Sequence, residues 1–298
     1  MKTNMKKRLA AIAITACTAC TICASPVFAA YNSSTVTQRD ALSTAYQTYF
    51  MCCEKSKFPA GKYWNHNIGH ADECTDTPCK RDSSKAPLHD ACGYVSNGVV
   101  VGPGLQKLSG VATIAHQCAG FARKLSMDFT GGGKVYVRTE MTKNFQVRVG
   151  DMIRIRCYGS NNTYSDHSIF VTEVNGNTFK FADCNWTGDC KIRWDVAGSI
   201  HNGTLMIGQK VYTTLYVDRP LMAGDVNGDC VVDGNDVSIV NQICDGTYKF
   251  TGAYQKYVRQ VADVNNDGYV TTSDRYYMLQ AMSGNPNYRL GFLTYIQN

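Results

Sequence analysis

Asp225, Asn227, Asp229, Asp233 and Asp236 recur in register as Asp263, Asn265, Asp267, Thr271 and Asp274, 38 residues further along the chain. So regular a duplication of oxygen-bearing side chains is hard to obtain by chance, and it restricts the C-terminal part to two matching tight loops. In each copy the side chains fall at positions 1, 3, 5, 9 and 12 of a twelve-residue loop, the spacing with which a chain wraps about six to eight oxygens around Ca²⁺. Val231 and Tyr269 take position 7, where the backbone carbonyl is the ligand. The pattern predicts two structural calcium ions, one per loop. The general form of such a loop ends in a bidentate Glu, whereas both copies here end in Asp.

Val237-Ser238-Ile239-Val240 follows the final Asp of the first loop, and Arg275-Tyr276-Tyr277-Met278 follows that of the second. With these features, residues 224–298 resemble a dockerin, the duplicated module that attaches secreted enzymes to cohesin domains of a cellulosome-type scaffold. The resemblance implies a small all-α domain with two EF-hand-like loops, assigned here to residues 219–298, and a cohesin as partner. The residues before each final Asp differ, Gly234-Asn235 against Thr272-Ser273, so one repeat is expected to dominate that contact.

At the other end, Lys2, Lys6, Lys7 and Arg8 precede an apolar run over residues 9–14, and Val27-Phe28-Ala29 offers small residues for cleavage. That is the pattern of a secretory signal peptide over residues 1–29, which predicts a secreted, extracellular protein associated with a cell-surface scaffold. Cys17, after Ile14-Thr15-Ala16, leaves open a lipid anchor instead. No later stretch is long and apolar enough to predict a transmembrane segment. Of the 30 Lys and Arg, four lie in the leader, and the remaining 26 nearly balance 24 Asp and Glu. Such neutrality implies no nucleic-acid partner.

Three of the 14 cysteines, Cys17, Cys20 and Cys23, fall in the leader, leaving eleven. In an exported chain most cysteines pair, and an odd remainder suggests one thiol kept for chemistry. Cys118 is that candidate; Cys52, Cys53, Cys74, Cys79, Cys92, Cys157, Cys184, Cys190, Cys230 and Cys244 would then supply up to five bridges. Cys74, Cys79, His89 and Cys92 leave a zinc site open as an alternative. The aromatic segment Phe58 to His66 offers either a groove lining or a disulfide-pinned flap.

Apolar residues at 118, 121, 122, 125 and 129 trace one helical face beginning at Gln117-Cys118. The first turn of a helix presents unpaired N–H groups and the positive end of its dipole, which favour thiolate over thiol. About fifty residues on, Asp166-His167-Ser168-Ile169-Phe170-Val171-Thr172 reads as a strand, Asn175-Gly176 as a turn, and Thr178 to Trp186 as the returning strand. The hairpin would bring His167 to Asp183 and Asn185, giving a base and its orienting partner. Parity imposes a condition: His167 and Asp183 share a face only with a three-residue loop, Asn175-Gly176-Asn177, or with a bulge.

Gln117-Cys118, Gly150-Asp151, His167 at the head of an apolar strand, the Asn-Gly hairpin and Asp183-Cys184-Asn185-Trp186 together resemble the CHAP family of cysteine- and histidine-dependent amidohydrolases and peptidases. The match covers roughly residues 110–195, and Asp183 stands where the family typically has Glu. It implies an α+β, papain-like domain over residues 30–218, a helix bearing the cysteine packed on an antiparallel sheet. It also implies cleavage of peptidoglycan stem peptides or their amide link to the glycan. Cys118 would be nucleophile and His167 general base, with Asn185 preferred over Asp183 as orienter. The Cys118 N–H and the Gln117 side chain would stabilise the oxyanion. A protease of other proteins, and a non-catalytic wall- or polysaccharide-binding domain with Cys118 inert, stay open as alternatives.

Overall fold

The structure, a computed structural model, describes residues 44–64, 74–76, 99–100, 105–107, 117–131, 135–158, 164–228, 231–250 and 255–293. The leader with Cys17, and Cys79, His89, Cys92, Asp229 and Cys230, lie outside the described residues. Among those described, no helix is long and apolar enough to cross a membrane.

Helix α1 (Thr44–Lys57) precedes short strands β1 (Tyr63–Trp64), β2 (Cys74–Thr75), β3 (Val99–Val100) and β4 (Leu105–Lys107), then α2 (Gln117–Phe129). There follow β5 (Val135–Thr139), β6 (Met152–Tyr158), β7 (Tyr164–Asn175), β8 (Thr178–Cys184), β9 (Ile192–His201), β10 (Thr204–Ile207) and β11 (Lys210–Pro220). Strand β10 pairs with β9 on one side and β11 on the other, while β11 also pairs with β6. Strands β6 to β11 therefore form a closed six-strand antiparallel barrel, and β5, β4 and β3 continue the sheet outward from β11. This corrects the papain-like α+β expectation: barrel closure dominates the domain, and few helices lie against it. Asn202 and Gly203 both sit in the left-handed region, at φ 51° and 76°, as the type I′ turn between β9 and β10 demands.

Alternation sorts each strand into two environments. Ile153, Ile155, Ile169, Val171, Phe179, Phe181, Leu205 and Val217 fill the barrel. Met152, Phe170, Ala182 and Cys184 face outward and carry the helices, packing with Phe50, Phe121, Leu125 and Phe129. The predicted helical stripe is all buried, from Cys118 to Phe129. Each such large side chain contributes about 1.5–3 kcal/mol on full burial. Phe58 and Trp64 belong to this layer, edge-to-face at 5.5 Å, so they build core and do not line a groove.

Three helices form the C-terminal part: α3 (Gly234–Cys244), α4 (Gln255–Ala262) and α5 (Thr272–Met282), closed around Val226, Val237, Val240, Val258, Val261 and Met278. Strand β11 runs to Pro220, past the boundary expected at residue 218, and leads directly into this part. There Met222 bridges Phe292, Leu293 N–H donates to the Leu221 carbonyl at 2.9 Å, and Ala223 N–H donates to that of Gly291 at 3.0 Å. Phe292 packs on the barrel's helical layer, and Val137 of β5 packs on the C-terminal core. The two halves are thus joined by packing as well as by chain.

Candidate active site and loop pair

Two bulges position the site. Asn175 pairs with Thr178, so the β7–β8 turn is Gly176-Asn177, a two-residue loop that by itself would place Trp186 opposite His167 and turn Asp183 to the other face. A register shift between Val171 and Glu173 restores the parity that the sequence required, and the bulged residue is Thr172. A second shift lies between β8 and β9, where Phe181 pairs with Val196 but Asp183 pairs with Arg193. Asp195, at φ 57°, absorbs the extra residue and turns Arg193 onto the face of Asp183.

The outcome is a chain of polar contacts at one end of the barrel. His167 Nε2 meets Asp183 Oδ2 at 2.8 Å. Arg193 grips the same carboxylate with Nε at 2.8 Å to Oδ1 and with Nη2 to Oδ2. With Nε2 committed, Nδ1 is the ring nitrogen left for Cys118, the second residue of α2 and only 5% exposed. Trp186 stands edge-on to the His167 ring at 4.9 Å, and the Arg193 guanidinium lies over Trp186 at 4.5 Å. Arg154, from β6, donates to Ser168 Oγ at 2.9 Å and reaches Cys118 Sγ at 3.9 Å through the same nitrogen.

Electrostatics follow from this arrangement. Burial pushes the Cys118 thiol up, but the charge of His167, a hydrogen bond from it, the Arg154 guanidinium and the Ser168 backbone outweigh that and hold it down at about 7. For His167 burial works downward; the Cys118 charge and the Asp183 hydrogen bond overcome it and raise the imidazole to about 9. Asp183 is lowered against its own desolvation by His167 and Arg193. Around neutral pH the arrangement favours a thiolate beside an imidazolium.

Asn185, the preferred orienter, does not meet His167. It occupies the left-handed region at φ 68°, and its side-chain oxygen accepts from the Cys190 N–H at 2.9 Å, closing the turn between β8 and β9. Gln117 opens α2. Gly150, at φ 99°, lets the chain pass Phe129, since a Cβ there would come within 2.8 Å of that ring. Asp151 is buried and held by Arg219 at 2.7 Å through both oxygens. That dipeptide is structural. Cys118, Cys157, Cys184 and Cys244 hold free thiols, so the expected bridges at Cys157, Cys184 and Cys244 are not formed. Sequence alone missed Arg154 and Arg193, whose only signal was their alternation on strands.

In the C-terminal loops, the residues expected to bind metal also cap helices. Asp233 and Thr271 are the N-caps of α3 and α5, with Asp236 and Asp274 completing capping boxes. Asp236 accepts from the Val226, Asn227 and Asp233 N–H groups, and Asp274 from those of Asn265 and Thr271. Asp263 accepts from the N–H groups of Asp267 and Gly268. Its carboxyl is raised by desolvation and by the nearby charges of Asp274 and Asp267, so the acidic groups crowd one another. Val231 and Tyr269 turn their side chains to solvent, as residues lending only a carbonyl would. An all-oxygen set of this kind fits a hard cation such as Ca²⁺. Among the described residues the carboxylates are aimed at amides and do not form a ready-made group of three metal-binding side chains.

Residues 223–282 match the family model of the dockerin type I domain. The chain matches none of the curated proteins. Dockerin domains bind calcium, dock onto cohesins of cellulosome-type scaffolds, and are typically extracellular, which supports the C-terminal expectations at the level of the domain.

Proposed function

We propose that this chain is a secreted cysteine hydrolase of amide bonds, most suited to peptidoglycan stem peptides, mounted on a scaffold through its dockerin. The observation that carries the proposal is the continuous run from Cys118 through His167 to Asp183 and Arg193. The CHAP-like residues support the substrate class. The Cys118 thiolate attacks the amide carbonyl, forming a C–S bond, and the His167 imidazolium gives its proton to the departing amine. Water then adds to the thioester with His167 as base, releasing the acid and restoring the thiolate. Asp183 holds the ring with Nε2 bound and Nδ1 toward sulfur, and Arg193 holds Asp183. The Cys118 N–H stands at the start of α2, where an oxyanion would be stabilised.

For the dockerin, Asp225, Asn227, Asp229, Asp233 and Asp236 with the Val231 carbonyl would hold one calcium ion. Asp263, Asn265, Asp267, Thr271 and Asp274 with the Tyr269 carbonyl would hold a second. Bound calcium neutralises the crowded carboxylates and ties each loop to its helix. The partner is then a cohesin of a scaffold protein.

The decisive experiment is mass spectrometry of products released from purified sacculi and from a generic protein, by the native chain and by Cys118→Ala. New termini from sacculi, lost in Cys118→Ala, are expected. Products from the generic protein alone would establish a protease, and no products from either would leave a binding domain.

A further inference from the structure

Five arginines lie on strands β5 to β11, and four of them are matched one-to-one with aspartates. Arg138 pairs with Asp218, Arg156 with Asp166, Arg193 with Asp183 and Arg219 with Asp151, at 2.7–3.0 Å through Nε. The fifth is Arg154. Among the described residues it has no carboxylate partner, only the Ser168 hydroxyl and the Cys118 sulfur. It is half-buried, so its charge is partly stripped of water beside the thiol. Its one anionic neighbour, the Cys118 thiolate, lies 3.9 Å away and is shared with His167, which leaves the guanidinium fork without a close planar anion; the group that completes it best is a carboxylate.

We propose that Arg154 is a specificity-determining residue that binds a free carboxylate on the substrate, within about three residues of the scissile amide. The inference rests on the hydrolase reading of Cys118. The position of the carboxylate follows from distance. Arg154 Nη1 lies 3.9 Å from the sulfur. A carboxylate oxygen would sit about 2.8 Å from that nitrogen, and the attacked carbon about 3 Å from the sulfur. Together these place the anion no farther than about 10 Å from the reacting carbon, the reach of about three extended residues. The substrate class is thus a peptide or isopeptide amide flanked by an acidic residue or by a free terminal carboxylate. Neutral chains and fully amidated stems would lack the contact.

Two alkylating agents of nearly equal size, iodoacetate and iodoacetamide, separate this role from a general effect on the thiol. Their relative rates at Cys118, located by peptide mass spectrometry in the full calcium-loaded chain, cancel any change in thiolate fraction, because both meet the same sulfur. His167 is present throughout. The iodoacetate-to-iodoacetamide ratio is expected to fall about tenfold or more in Arg154→Gln and to be largely retained in Arg154→Lys. An unchanged ratio in Arg154→Gln, with Cys118 still reactive, overturns the inference and leaves the hydrolase reading intact. A Cys118 inert to both reagents in the native chain removes the hydrolase reading, and the inference with it. If Arg154→Gln does not fold, the native protein still decides. N-acetylglycine should protect Cys118 from iodoacetamide at lower concentration than N-acetylglycinamide, and equal protection counts against the carboxylate contact.

Discussion

A thiol that is 5% exposed should favour its neutral form, and Cys118 departs from that rule because three cationic or donor groups converge on it. The shifts have opposite signs with one consequence. Cys118 lies below its ordinary value, so the reactive thiolate appears as pH rises through about 7. His167 lies above its own, so the proton needed by the leaving amine persists until about 9. Hydrolysis should follow a bell with limbs near those values, which belong to the pair jointly. His167→Ala should displace the rise in Cys118 alkylation toward higher pH; an unchanged profile would deny the coupling. Asp183→Asn is expected to lower kcat by at least about tenfold, since the ring loses the acceptor that fixes its tautomer. Asn185→Ala should leave kcat within about threefold but destabilise the fold by about 1–3 kcal/mol, because it leaves the Cys190 N–H without its acceptor at a left-handed position. Residue types alone singled out Cys118 and His167, which the fold brings together. They did not decide between Asp183 and Asn185, because that choice depends on which residue is spent on a turn.

Elements, not single residues, determine that choice. A two-residue turn at Gly176-Asn177 and a bulge at Thr172 together give the parity that brings Asp183 to the face of His167, and the Asp195 bulge then delivers Arg193 to Asp183. Strand existence was legible from alternation in β6, β7 and β8. Barrel closure was not, because it depends on β10, four residues long, pairing on both edges. Bulges carry no composition of their own; Asp195 is among the few residue types that tolerate a positive φ, which is the only hint. The α2 helix is seated by an equally local device. Gly150→Ala would combine an unfavourable φ of 99° with a Cβ 2.8 Å from Phe129. It should cost about 2–5 kcal/mol from strain and overpacking together, visible as a lower denaturant midpoint. Stability equal to that of the native chain would mean that Phe129 can move aside freely.

At the scale of the whole molecule, barrel and dockerin share packing at Phe292 and Val137, so loss of the C-terminal fold should be felt by the barrel. Chelation is expected to melt the dockerin helices and to lower the barrel transition too, read by circular dichroism and calorimetry on the full chain; a barrel transition indifferent to chelator would show the contact to be passive. The outward face of the dockerin is unequal between repeats. Tyr276, Leu279 and Met282 of α5 are exposed, at 55%, 40% and 39%. The equivalent positions of α3 are Ser238, Asn241 and Cys244, which cannot offer a comparable apolar surface. Exposed aromatic and aliphatic side chains aligned on one helix are the kind that anchor interfaces, whereas small polar ones act mainly as fill. The second repeat should therefore supply most of the cohesin affinity. Tyr276→Ala and Leu279→Ala are each expected to weaken binding by about tenfold or more in titration calorimetry, and Ser238→Ala and Asn241→Ala by less than about threefold. Equal losses from the two helices would instead mean that the module engages its partner in either of two orientations related by half a turn.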